Sequence, residues 1–118
     1  MRSVAVSPDS KTIAAGLRYG MVKVWDVESR KEKSFKGHSS DVWGVAFAPD
    51  GKTLASGDGD WNKPGEVKLW DLTTDKERRT LKHSSEVLCL AISRDGQHMA
   101  AGGWDGTVAL WKMDGADR

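Results

Sequence analysis

Apolar residues in this chain come in short runs closed by turn-forming clusters, and the runs recur. Val4-Ala5-Val6-Ser7-Pro8-Asp9 is echoed by Val45-Ala46-Phe47-Ala48-Pro49-Asp50 and by Leu90-Ala91-Ile92-Ser93-Arg94-Asp95. A second set follows each of these: Val22-Lys23-Val24-Trp25, Val67-Lys68-Leu69-Trp70 and Val108-Ala109-Leu110-Trp111. Within a copy the two sets span 21 residues in the first and third cases and 25 in the second. Each tryptophan precedes the next copy by 20 residues, so the period is 41 with a four-residue insertion in copy two. Self-similarity of this length marks a repeat architecture whose units cannot bury their apolar faces alone.

One period reads as four short strands. Val42 to Ala48 is apolar on both faces, as a strand covered from both sides must be. Pro49-Asp50-Gly51-Lys52 is a turn, with proline presetting φ and glycine accepting a positive one. Thr53 to Gly57 and Glu66 to Trp70 follow as the second and third strands. Lys76 to Leu81 is the polar fourth; helix competes there on propensity, but the shortness of the run and the strand spacing around it favour strand. The insertion falls within Asp58 to Gly65, since Gly16–Trp25 and Gly102–Trp111 are both 9 apart while Gly57–Trp70 is 13. It should enlarge a loop and leave the ladder intact. An apolar innermost strand and a charged outermost one describe an all-β wedge: a hub covered by neighbours and a rim that protects an otherwise open sheet edge.

Composition narrows the function. The net charge is +1 with 30% charged residues, which gives no single-sign field for nucleic acid or an anionic membrane. Basic stretches at Arg30 to Lys36 and Lys76 to Lys82 are interleaved with acids and read as solvated edges, so nucleic acid is not expected as a partner. No apolar run approaches the roughly 18 residues of a membrane span, and the start has no signal-peptide shape. The single cysteine, Cys89, excludes an intrachain disulfide; in its apolar run it is expected to be a small core residue, and the chain is expected in the cytoplasm. No phosphate loop, zinc pattern or nucleophile elbow occurs, and the innermost strands carry no carboxylate or histidine, so catalysis, cofactors and metals are not expected. His38 and His83 lack further ligands at metal spacing, and His98 reads as a surface residue.

Over nearly its whole length the chain resembles the WD40 repeat family. The resemblance rests on Gly37-His38, Trp25-Asp26, Trp70-Asp71, the Pro-Asp-Gly turn at Pro49 and the Leu-Ala-Ser-Gly strand from Leu54 to Gly57. It implies three consecutive blades of a β-propeller, each a four-stranded antiparallel sheet: about 1–37, about 38–82, and about 83–118 without its outer strand. It also implies a buried hydrogen-bonded set in each blade, built from the histidine, a second-strand hydroxyl, an acid before the third strand and the third-strand tryptophan. Copy two offers His38, Ser56 and Trp70, with Asp58 or Asp60 as the acid. Copy three has His83, Asp105 and Trp111 but Ala101 at the hydroxyl position, while copy one has Trp25 with Ala15 and Tyr19 at the other two. Lys82-His83 and Trp111-Lys112 also depart from the pattern.

The family's fold closes into a ring of about four to eight blades, and three do not close one. Met1 aligns with Val42, inside a first strand, and only seven residues follow Trp111. The expectation is a fragment of a larger propeller, with self-association to complete the ring as the alternative; either way two terminal blade faces should expose contiguous apolar surface. The expected function is a non-catalytic scaffold for other proteins or peptides, and the alternative is the propeller region of a multidomain enzyme whose kinase or hydrolase domain lies elsewhere. Candidate contact residues lie where first strands begin and before third strands: Arg18, Tyr19, Asp41, Trp43, Trp61, Glu86, Leu88 and Trp104. Trp43 and Trp104 have a second reading as packing between blades, which the polar loop around Trp61 makes less apt there.

Overall fold

Each copy of the repeat folds into one antiparallel meander, because short alternating runs joined by tight turns leave no length for a crossover. The computed structural model describes residues 3–36, 38, 40–59, 65–74, 76–83 and 86–112. The first sheet comprises β1 (Ser3–Val6), β2 (Thr12–Gly16), β3 (Met21–Asp26) and β4 (Glu32–Lys36) in that order. The second comprises β5 (Val42–Phe47), β6 (Thr53–Asp58), β7 (Glu66–Asp71) and β8 (Lys76–Lys82). The third comprises β9 (Val87–Ile92), β10 (His98–Gly103) and β11 (Val108–Lys112), three strands among the described residues. A 3-10 turn at Arg18–Gly20 is the only helical element described. The polar run of copy two is strand, as expected, and the insertion leaves the ladder whole: β6 and β7 pair without a shift from Thr53–Asp71 to Gly57–Val67.

The hairpins between first and second strands share one aspartate-based turn. Asp9, Asp50 and Asp95 each accept through Oδ1 from the amide two residues on, at 2.9, 2.8 and 3.0 Å. The residue after the aspartate takes a left-handed φ: 62° at Ser10, 68° at Gly51 and 72° at Gly96. Two copies meet that demand with glycine and one with serine.

The core lies between sheets rather than within them. Ala14, Val22, Val24 and Phe35 of the first sheet pack on Val42, Val45, Leu54 and Trp70 of the second. Ala55, Val67 and Leu69 on the second sheet's other face pack on Val87, Met99 and Ala101 of the third. Both seams use the same device. A Cβ on Gly16 would lie 2.7 Å from the Val42 carbonyl oxygen and 2.8 Å from its Cγ1, and one on Gly57 would lie 2.4 Å from Val87 Cγ1. A valine opening the next hub strand therefore enters the space a side chain would fill, so these positions admit only glycine without displacement.

One expectation fails. Cys89 is exposed rather than buried, because β9 alternates and its Cys89–Ala91 side faces away from the second sheet, where no further blade covers it. An apolar run signals two faces to be covered; it does not say that both covers are present.

Candidate functional site

Two arrangements bear on function: a buried polar set inside the second sheet, and the turns at one end of all three sheets. In the first, β6 supplies Ser56 and Asp58, β7 supplies Trp70, and the segment between β4 and β5 supplies His38. Trp70 Nε1–H donates to Ser56 Oγ at 2.7 Å. An indole nitrogen can only donate and a carboxylate only accept, so His38 Nδ1–H donates to Asp58 Oδ2 at 2.8 Å; with the imidazole neutral, its Nε2 accepts the Ser56 hydroxyl at 2.6 Å. Asp58 Oδ1 in turn accepts the Glu66 amide at 2.7 Å, which anchors the far side of the insertion. Between Asp58 and Asp60 the geometry thus puts Asp58 beside His38; Asp60 lies outside the described residues.

Serine, histidine and aspartate in series are also the parts of a nucleophilic triad. Here Ser56 is fully buried and its oxygen already accepts the Trp70 indole, so no substrate atom reaches it. What the arrangement does is satisfy every polar group it buries, which is the condition for such a network to stabilise rather than destabilise.

The other copies lack parts of the set. His83 is buried with its ring edge-on to Trp111, centroids 6.5 Å apart at 64°, close to the 6.2 Å and 63° of His38 and Trp70. Ala101, buried in β10 at the place Ser56 holds in β6, offers no oxygen, and Asp105 is exposed, its Oδ1 accepting from the Thr107 amide and hydroxyl. In copy one Trp25 Nε1 donates instead to Glu32 Oε2 across the β3–β4 pair, at 2.8 Å. The sequence reading missed this partner, and it missed Lys68, buried with its Nζ 3.1 Å from Glu77 Oε1 and 3.2 Å from Thr80 Oγ1. The Thr80 hydroxyl, before Lys68, is the main reason the Glu77 carboxyl titrates below its usual range. The repeat itself carried the signal for one more omission, the turn aspartates: Asp9, Asp50 and Asp95 recur at one position of the period.

At the blade ends the turns are stitched to one another. Leu17 carbonyl accepts the Val42 amide at 3.0 Å, Asp41 Oδ1 accepts the Tyr19 amide at 3.1 Å, and the Asp41 carbonyl accepts the Gly59 amide at 3.2 Å. Gly59 backs onto Glu86, whose carbonyl accepts the Trp104 amide at 3.0 Å. Arg18, Tyr19, Asp41, Glu86 and Trp104 are thereby joined along one edge. Tyr19 is 87% and Trp104 66% exposed. Trp104 is on the third sheet, whose outer face meets no neighbour among the described residues. It holds the place in the period that Gly59 holds against Glu86 of the next sheet, so both of its readings stand. Trp43 is half-buried and donates from Nε1 to the Gly59 carbonyl at 3.0 Å. Leu88 is half-buried, and Glu86 is buried, so its side chain offers little contact surface. Trp61 lies outside the described residues.

Successive antiparallel sheets packed face to face, two of four strands with a charged rim and a third of three strands among the described residues, define the chain as blades of a β-propeller. Comparison with known proteins places it: the family described as "WD domain, G-beta repeat" matches three times, over residues 1–26, 29–71 and 75–112. The chain belongs to that family, whose repeats generally act as non-catalytic platforms for protein–protein interaction. It is 37% identical over 57 residues to the WD repeat-containing protein SL1-17 of Schistosoma mansoni, covering 48% of this chain and 19% of that protein. It is 37% identical over 48 residues to the general transcriptional corepressor TUP1 of Saccharomyces cerevisiae, covering 40% of this chain and 7% of that one. Among the described residues no helix is long and apolar enough to cross a membrane, and no cluster of three or more His, Cys, Asp or Glu could hold a metal ion.

Proposed function

We propose that the chain is a non-catalytic scaffold within a larger WD-repeat propeller, holding other proteins or peptides on the blade ends that carry Tyr19 and Trp104. The observation behind this reading is the exposure of two large aromatic side chains on hydrogen-bonded turns, the Tyr19 amide held by Asp41 of the next blade and the Trp104 amide by the Glu86 carbonyl of its own. An aromatic side chain held ready on a rigid turn loses little conformational freedom on binding, which is what makes such residues interface anchors. Membership of a larger ring is supported by the relatives, of which the chain spans 19% and 7%, and by apolar sheet faces left uncovered at Val4 and Val6 and at Val108 and Leu110. A cytoplasmic setting is in keeping with a single, unpaired cysteine.

The test is quantitative affinity capture with the wild-type chain and with Tyr19→Ala/Trp104→Ala, each checked by thermal melting. Proteins enriched by the wild type should fall about fivefold or more with the double variant at unchanged melting temperature, as loss of about 1 kcal/mol or more of hot-spot contact requires. An enriched set that ignores both substitutions rejects this edge.

A further inference from the structure

A recess lies at the opposite end of the blades from the Tyr19–Trp104 edge, in the seam between the first and second sheets. Its volume is about 350 Å³, and its floor is aliphatic, made by Val24 of β3 and Leu72 of the β7–β8 turn. The rim is cationic: among the described residues Lys31, Lys33 and Lys52 line it against the carboxylate of Asp26. The walls are held by backbone bonds, the Leu72 amide to the Lys52 carbonyl at 2.8 Å and the Asp26 amide to the Lys31 carbonyl at 2.9 Å. Asp26 is itself turned inward, its Oδ1 accepting the Glu28 and Ser29 amides at 3.0 Å each, and those bonds hold its carboxyl below the usual range. Lys33 has an interaction of its own, so the exposed ammonium groups of Lys31 and Lys52 are the ones that face an incoming ligand.

The size is at the small end of ligand pockets, which run to about 300–1,000 Å³. An aliphatic floor between lysines favours an occupant with one branched apolar side chain flanked by carboxylates. Among the described residues no aromatic side chain lines the recess on which a base could stack, which disfavours single-stranded nucleic acid. We propose that this inter-blade recess docks an acidic linear peptide of a partner protein, an aliphatic residue seated on Val24 and Leu72 with Asp or Glu on either side meeting Lys31 and Lys52. The site is separate from the Tyr19–Trp104 edge, which lies at the other end of the sheets, so the two stand or fall apart.

Fluorescence anisotropy tests it, using a fluorescein-labelled heptapeptide Gly-Glu-Asp-Leu-Glu-Asp-Gly titrated with the full chain. Two further peptides replace the acids by Gln and Asn, or the Leu by Gly. Saturable binding is expected for the first alone, weakened about tenfold by Lys31→Glu/Lys52→Glu and unaffected by Tyr19→Ala/Trp104→Ala. Both lysines are exposed, so melting temperature should not move; Leu72→Gln gives an independent reading of the floor. The proposal is overturned by no saturable binding, by equal binding of the amide or glycine peptide, or by indifference to the double lysine variant. Tighter binding of a labelled single-stranded oligonucleotide of equal charge would assign the recess to nucleic acid instead.

Discussion

At the scale of single residues, the second blade shows what the first and third lack. Ser56→Ala would leave the Trp70 indole N–H without its acceptor and His38 Nε2 without its donor, both in the interior. Leaving buried groups unsatisfied should destabilise the chain by about 2 kcal/mol, read as a lower urea midpoint at unchanged slope. The reverse change is Ala101→Ser. His83 and Trp111 already stand as His38 and Trp70 do, and Ala101 is fully buried at the hydroxyl's place in the period. The added oxygen gives the Trp111 indole an acceptor, and a gain of about 1 kcal/mol is expected; a loss would mean that the pocket has no room for it. Much of this set was legible through the resemblance to the WD40 repeat, which implies such a set and to whose pattern His38, Ser56 and Trp70 correspond. The acid was not, because Asp58 and Asp60 are both next to the insertion and only the end of β6 distinguishes them. Nor was the Trp25–Glu32 bond, which depends on the β3–β4 register placing residues seven apart opposite each other.

At the scale of elements, the strands were legible because alternation and turn chemistry agree along the whole chain. The bulges between Val42 and Gly44, Leu69 and Trp70, and Gly102 and Gly103 were not, since the strands they interrupt are apolar on both faces or charged along their length, and an extra residue there breaks no visible alternation. The turns joining the strands make stability depend on acid. Hydrogen bonds from the Ser7 hydroxyl to Asp9, the Ser29 amide to Asp26, the Thr73 hydroxyl to Asp71 and the Ser93 hydroxyl to Asp95 are the leading reasons that these carboxyls titrate below 3.8. A carboxylate favoured in the folded state adds its full contribution above the unfolded value and loses it as pH falls through the lower folded value. The urea midpoint should therefore be level near neutrality and decline only in acid, below about pH 4. Asp26→Asn/Asp71→Asn, which keeps an acceptor in each turn, should flatten that decline. An acid limb as steep as that of the wild type would assign the proton uptake to other groups.

At the scale of the molecule, the same interface chemistry occurs twice inside the chain and is left open at both of its outer faces. Gly16 admits Val42 in the first seam and Gly57 admits Val87 in the second, each beside a valine of the third strand, Val22 or Val67. Gly102 and Val108 hold those positions on the third sheet, paired across β10 and β11 on the side that carries Cys89. That face leaves Val108 74% and Leu110 68% exposed, while on the first sheet Val4 and Val6 stand 58% and 57% exposed on the side that in the second sheet meets a neighbour. The two open faces are thus of opposite kinds, as are the two that meet in each internal seam, so contact between copies would be head to tail rather than two-fold. The isolated chain should accordingly gain mass with concentration in light scattering, as open apolar sheet faces require. Val6→Glu disables one face and Leu110→Glu the other, both at exposed positions where folding should survive. Each variant alone retains no complementary pair and should remain monomeric, whereas an equimolar mixture keeps one good pair and should form a one-to-one dimer. If the wild type stays monomeric at about 100 μM, a range where even weak contacts near −5.5 kcal/mol are half formed, the seams hold their valines by chain connectivity and not by the fit of the faces.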